Sequence, residues 1–144
     1  MLIRNPPTKA QRPTDFLIAG PGYDTDRWEP THKITDTAGQ EVLNRVLDAS
    51  ASEETVSVIA GPAGIDLQDP WYIDGRAANT FGRRILGDGW LTTQLIQNGA
   101  NRPVVKFTSP GGLMHGTEFG HFRLSFASQA AAASVLGAVT VCAD

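Results

Sequence analysis

Cysteine is nearly absent, since Cys142 is the only one in 144 residues. No intrachain disulfide can form, and a Cys-rich secreted scaffold or a structural zinc site is excluded. Long apolar runs are missing too: no segment approaches the roughly eighteen consecutive apolar residues of a membrane span, and the first residues hold no apolar signal core. These absences predict a soluble protein, folding in a reducing cytoplasm, without membrane contact. Charge is scarce at 19% of residues, and the net value of −3 is too small and too mixed for a nucleic-acid binder, which needs clustered cations. Arg83-Arg84 and Arg102 stand apart in sequence with no aromatic-basic motif around them.

What the chain has in quantity is glycine and proline, 15 and 9 residues. That composition suits many short strands joined by turns better than a helical bundle. The length corresponds to one domain, burying about 70% of its unfolded surface. Met1 to Thr14 carries Arg4, Lys9 and Arg12, no acid and three prolines, which forbid helix and favour an extended arm. Residues 15–144 then form a single domain.

Strand candidates follow at regular spacing. Asp15 to Ala19 and His32 to Asp36 are short, and Thr55 to Ala60 is rich in β-formers. Asp69 to Gly75 opens on proline and closes on Asp-Gly; if it is a strand, Trp71 and Tyr72 point to opposite faces. Trp90 to Ile96 and Val104 to Thr108 pair as a hairpin around Asn98-Gly99. Phe122, Leu124 and Phe126 alternate with His121, Arg123 and Ser125, and Val135, Val139 and Val141 share one parity. Gly120 to Asp144 therefore reads as a closing antiparallel hairpin. Thr37 to Ala49 supports two readings. Val42, Leu43, Val46 and Leu47 share a helical face, and Thr37 with Gln40 has capping-box spacing, yet a strand fits as well. The expected class is all-β: an antiparallel β-sandwich or barrel of about seven to eight strands, with an extended N-terminal arm and at most one short helix near 38–49. No repeat unit is evident.

Chemistry is thinly marked. There is no Gly-x-Ser-x-Gly elbow and no His-Glu-x-x-His, and Asp24 and Asp26 lack the rest of a calcium loop. Gly61 and Gly64 lack the lysine of a phosphate-binding loop, so they read as a turn. His115 and His121, with Asp88 or Glu118, are the remaining acid–base or metal candidates; histidines held by structural hydrogen bonds or facing solvent are the simpler reading. No catalytic residue, metal or cofactor is expected.

The FRLSFAS segment, a small-residue connector and SVLGAVTV, preceded by the Asn98–Val105 segment and the N-terminal arm, resemble the closing parts of β-rich structural proteins of tailed-phage virions. The likeness is to capsid decoration, or cement, proteins, and it covers about the last quarter of the chain. It implies a non-enzymatic homo-oligomer, dimer or trimer, made in the host cytoplasm and seated on the capsid exterior. Its partner is then the major capsid protein, bound through Leu2, Ile3, Arg4, Lys9, Arg12, Trp71 and Tyr72. The alternative is a carbohydrate-binding or host-adhesion β-sandwich stacking sugars on Trp71, Tyr72 or Trp90. A small metal-dependent hydrolase at His115 and His121 is the third reading.

Overall fold

A computed structural model describes residues 14–23, 28–35, 37–51, 53–61, 63–74, 82–89, 92–109, 116–128 and 139–143. Strands β1 (Phe16–Ala19) and β2 (His32–Lys33) precede helix α1 (Gly39–Ala49). Nine strands follow: β3 (Thr55–Ile59), β4 (Ile65–Leu67), β5 (Trp71–Asp74), β6 (Arg84–Gly87), β7 (Gln94–Gln97), β8 (Val105–Ser109), β9 (Glu118–Gly120), β10 (Arg123–Phe126) and β11 (Val139–Ala143).

Apart from β1 and β2, which lie side by side, these strands do not pair with their neighbours in sequence. They form a five-stranded sheet in the order β2-β1-β3-β6-β9 and two three-stranded sheets, β10-β7-β4 and β11-β8-β5. Every strand pairing among the described residues is parallel. The chain thus winds through three sheets in turn and returns one strand spacing along the axis, so that β3-β4-β5, β6-β7-β8 and β9-β10-β11 are successive rungs of a parallel β-solenoid. Partners lie about thirty residues apart, as in Thr55 with Arg84, Ile65 with Leu95, and Leu95 with Leu124.

This arrangement overturns the expected antiparallel sandwich or barrel. Within the predicted closing hairpin, β10 pairs with β7 and β11 with β8. The same holds for the predicted hairpin around Asn98-Gly99, whose two strands belong to different sheets. A solenoid also has a repeat, which the sequence conceals because like positions in successive rungs share apolar character rather than residue identity.

Alternation is what builds the core. Val56, Ile85 and Phe119 stack in one inward column, Ile65, Leu95 and Leu124 in a second, and Trp71 and Val105 in a third. Val56, Ile85, Ile65, Leu95, Trp71 and Val105 are fully buried. Fully burying a Val, Leu or Ile side chain contributes about 1.5–3 kcal/mol, so each column is a substantial source of stability.

The segment with two readings is a helix. Leu43, Val46 and Leu47, at i, i+3 and i+4, are its buried apolar positions, and they join the core cluster with Ile65, Leu67, Trp71 and Ile73 of β4 and β5. The predicted capping box does not form: Ala38 is the N-cap and no side chain caps it. Gln40 and Asn44 instead serve the first rung. The N–H groups of Gln68 and Tyr72 donate to Gln40 Oε1 and Asn44 Oδ1, both at 2.9 Å. The helix therefore covers the apolar start of two sheets and satisfies edge donors there, answering the liability of unpaired strands. Its last turn is held by Arg83, 4% exposed, whose Nη1 donates to Leu47 O and Ser50 Oγ at 3.0 Å each. A cation at this end also suits the helix dipole.

The corners are stacked by polar groups. Gln97 points inward in the column of Leu67 and Phe126 and is completely buried; its Nε2 donates to Pro103 O and its Oε1 accepts from Gly99 N, both at 2.8 Å. Arg102 reaches across to the corner beneath, donating to Gln68 O at 2.7 Å and pairing with Asp69. A Cβ on Gly99 would collide with the carbonyl oxygen of Gln68, so only glycine lets these corners approach so closely.

Candidate functional site

Outward-facing residues of β6 and β9 build the most chemically equipped surface among the described residues. Arg84 and Leu86 flank the inward Ile85 and stand in register with Glu118 and Gly120. Together with Thr117 and His121 they line an open groove of about 510 Å³. Arg84 Nε donates to Glu118 Oε2 at 2.6 Å, with both side chains more than half exposed (58% and 57%). Such a solvated pair adds about 0–1 kcal/mol of stability, so its contribution lies more in presenting one cation and one carboxylate in fixed positions. A Cβ on Gly120 would meet nothing within 4 Å. Its absence leaves the strip beside Leu86 uncovered, a small apolar spot in a mostly polar groove.

His121 closes one end of the groove. Its φ of 65° is in the left-handed region, uncommon for a residue with a Cβ. The conformation is held by Gly89 N, which donates to His121 O at 2.9 Å. Gly87 makes this approach possible, because a Cβ there would collide with that same oxygen. The histidine ring is left exposed at the rim.

A second cavity of about 400 Å³ lies between the turn at Gly20–Tyr23 and Lys33–Thr35. Among the described residues Lys33 is its only charged side chain, so they offer less directional chemistry than the groove.

Of the residues singled out in the sequence, the fold brings Glu118 and His121 to the groove and separates the others described. Leu2, Ile3, Arg4, Lys9, Arg12, Trp90 and His115 lie outside the described residues. Trp71 is fully buried. It packs edge-to-face on Phe119 and Phe122 at centroid distances of 5.9 and 5.8 Å, and those two rings stack at 4.7 Å. Its neighbour Tyr72 points the other way and is the one large hydrophobic residue exposed among those described, at 42%. Arg83 and Arg84 also separate, one to the helix terminus and the other to the groove. Among the described residues no group of three His, Cys, Asp or Glu side chains could hold a metal; Glu118 is engaged with Arg84, and His121 stands at the rim. Asp88 donates its backbone N–H to Thr93 Oγ1 at 2.9 Å, part of a corner.

Leu86, Thr117 and Gly120 had no place in the sequence-based candidates, and Arg84 was weighed only with Arg83 and Arg102 as a dispersed cation. The signal that points to them is the register itself: Arg84 and Glu118 are 34 positions apart and meet only once the strands are known to stack in parallel. No protein-family model, curated protein or solved structure significantly matches the chain.

Proposed function

We propose that the chain is a non-enzymatic carbohydrate-binding module of the host-adhesion type, and that the β6–β9 groove takes a sugar unit of a glycan chain. The observation that carries this reading is a mostly polar groove in which Arg84, Glu118, Thr117 and His121 surround one small apolar spot, Leu86 beside the bare Gly120. A pyranose has the same division, an apolar ring face edged by hydroxyls that both donate and accept. Arginine supplies donors only and carboxylate acceptors only, so the fixed Arg84–Glu118 pair addresses neighbouring hydroxyls. The volume of about 510 Å³ falls within the usual range of small-ligand sites.

Binding is favoured over hydrolysis because among the described residues one carboxylate, Glu118, lines the groove, whereas glycosidases generally place two across the scissile bond. Stacking on Trp71 is ruled out by its burial. Tyr72 lies in a different sheet from the groove, and its replacement is a control. A glycan array followed by calorimetry tests the proposal. The expected result is binding that falls at least about tenfold, or about 1.4 kcal/mol, in Glu118→Gln and Arg84→Ala and is unchanged in Tyr72→Ala. Absence of any glycan ligand, or binding insensitive to both groove variants, overturns it. The capsid-decoration reading places its contacts on the arm, of which only Thr14 is among the described residues, and on Trp71 and Tyr72; its test is deletion of residues 1–14, which should abolish shell binding.

A further inference from the structure

The two ends of the solenoid are finished differently. At the first rung the free-edge N–H groups of Gln68 and Tyr72 are taken by Gln40 and Asn44 of α1. At the last rung β9, β10 and β11 are each the outermost strand of their sheet, and no described helix lies over them. In a parallel strand the backbone polar groups of successive residues point to alternate sides. Arg123 N and Ala127 N donate back to β7, and Glu118 N donates back towards β6. The backbone groups of Leu124, Phe126 and Phe119 therefore face an edge that no described strand covers. The side chains of this rung are apolar as well: Phe119, Phe122, Leu124 and Phe126 are only partly buried where they pack on the core, although Ile85 and Leu95, one rung below, are fully covered.

We infer that this end is a self-association surface whose occupant is the same end of a second copy. The α1-covered end cannot serve as the mate, because the helix already occupies the edges of β4 and β5; head-to-tail stacking is blocked. End-to-end stacking is not. Strands run around the axis in one sense, so turning one copy over reverses that sense and sets every facing pair antiparallel, a favourable pairing geometry. The aromatic layer of one copy then covers that of the other, and the exposed edges close on each other. The contact turns two aggregation-prone edges into one finite dimer rather than an open fibre.

Sedimentation and light scattering on the full chain test this directly. The expected mass is twice the 15.4 kDa of one chain at high micromolar concentration, falling to a single chain on dilution. Hydrogen exchange at Phe119, Leu124 and Phe126 should slow as concentration rises, while Tyr72, whose N–H is held by Asn44, should not respond. Phe126→Lys, at a half-buried position where the ammonium can reach water, should give a folded monomer by circular dichroism and mass. A monomer at all concentrations, concentration-independent protection of the three amides, or a folded Phe126→Lys that still dimerises would each overturn the inference. The exchange measurement needs only the wild-type chain, so it decides even if the variant fails to fold.

Discussion

Replacing Gln97 by leucine isolates what a single buried amide contributes to the solenoid. Gln97 is completely buried in a column otherwise filled by Leu67 and Phe126, where a sequence pattern asks for a hydrophobe. Leucine is close in size, so little cavity or strain is introduced. What is lost is the Nε2 bond to Pro103 O and the Oε1 bond from Gly99 N, both 2.8 Å. Leaving a buried donor or acceptor without its partner costs about 1–3 kcal/mol. Gly99 and Pro103 are themselves half-buried and partly reached by water, so the low end applies: about 1 kcal/mol each, and about 2 in total. Better transfer of leucine into the apolar column offsets less than about 1 kcal/mol of this. The net expectation is a loss of about 1–2 kcal/mol in urea unfolding followed by circular dichroism, with the denaturant slope unchanged. Gln94→Leu is the matched control, since its amide faces outward and bonds Ser125 Oγ across strands at 2.9 Å; its effect should stay within about 0.5 kcal/mol. Equal effects at the two sites, or a stabilised Gln97→Leu, would refute the view that the inward amide holds the β7–β8 corner.

Two further perturbations test the fold. Arg83→Met keeps the apolar stem of a nearly buried residue but removes the donors to Leu47 O and Ser50 Oγ, so thermal unfolding should report a loss of about 2 kcal/mol, with faster amide exchange in the last turn of α1. Gly99→Ala drives a methyl group into the Gln68 carbonyl. It should cost about 3 kcal/mol, shown by a lower melting temperature, and should loosen the Asn98 N–H to Leu67 O bond between corners in hydrogen exchange.

Much of the local structure was legible in the residues alone. The β-branched run at Thr55–Ile59 forms a strand, Trp71 and Tyr72 do part to opposite faces, and Leu124 and Phe126 do turn towards the core. The Leu43, Val46 and Leu47 face also seats a helix. A period of two reports which side of a strand is apolar, and helical spacing reports which side of a helix is; both are properties of the backbone and need no partner.

Pairing was not legible, because the same alternation serves a strand beside its sequence neighbour and one beside a strand about thirty residues away. The short turn at Asn98-Gly99 suggested a hairpin, but in a solenoid such a turn also serves as a corner between sheets. The groove was hidden for the same reason. Arg84 and Glu118 acquire a common site only through parallel register, and Gly120 acquires meaning only from the empty space above it. Sequence determined where most strands and core positions lie, since those follow from local spacing and hydrophobicity, but left Thr37 to Ala49 open between helix and strand. Tertiary structure decided that the strands coil in parallel, which end is covered, and which distant polar groups meet, since each depends on contacts between residues far apart in the chain.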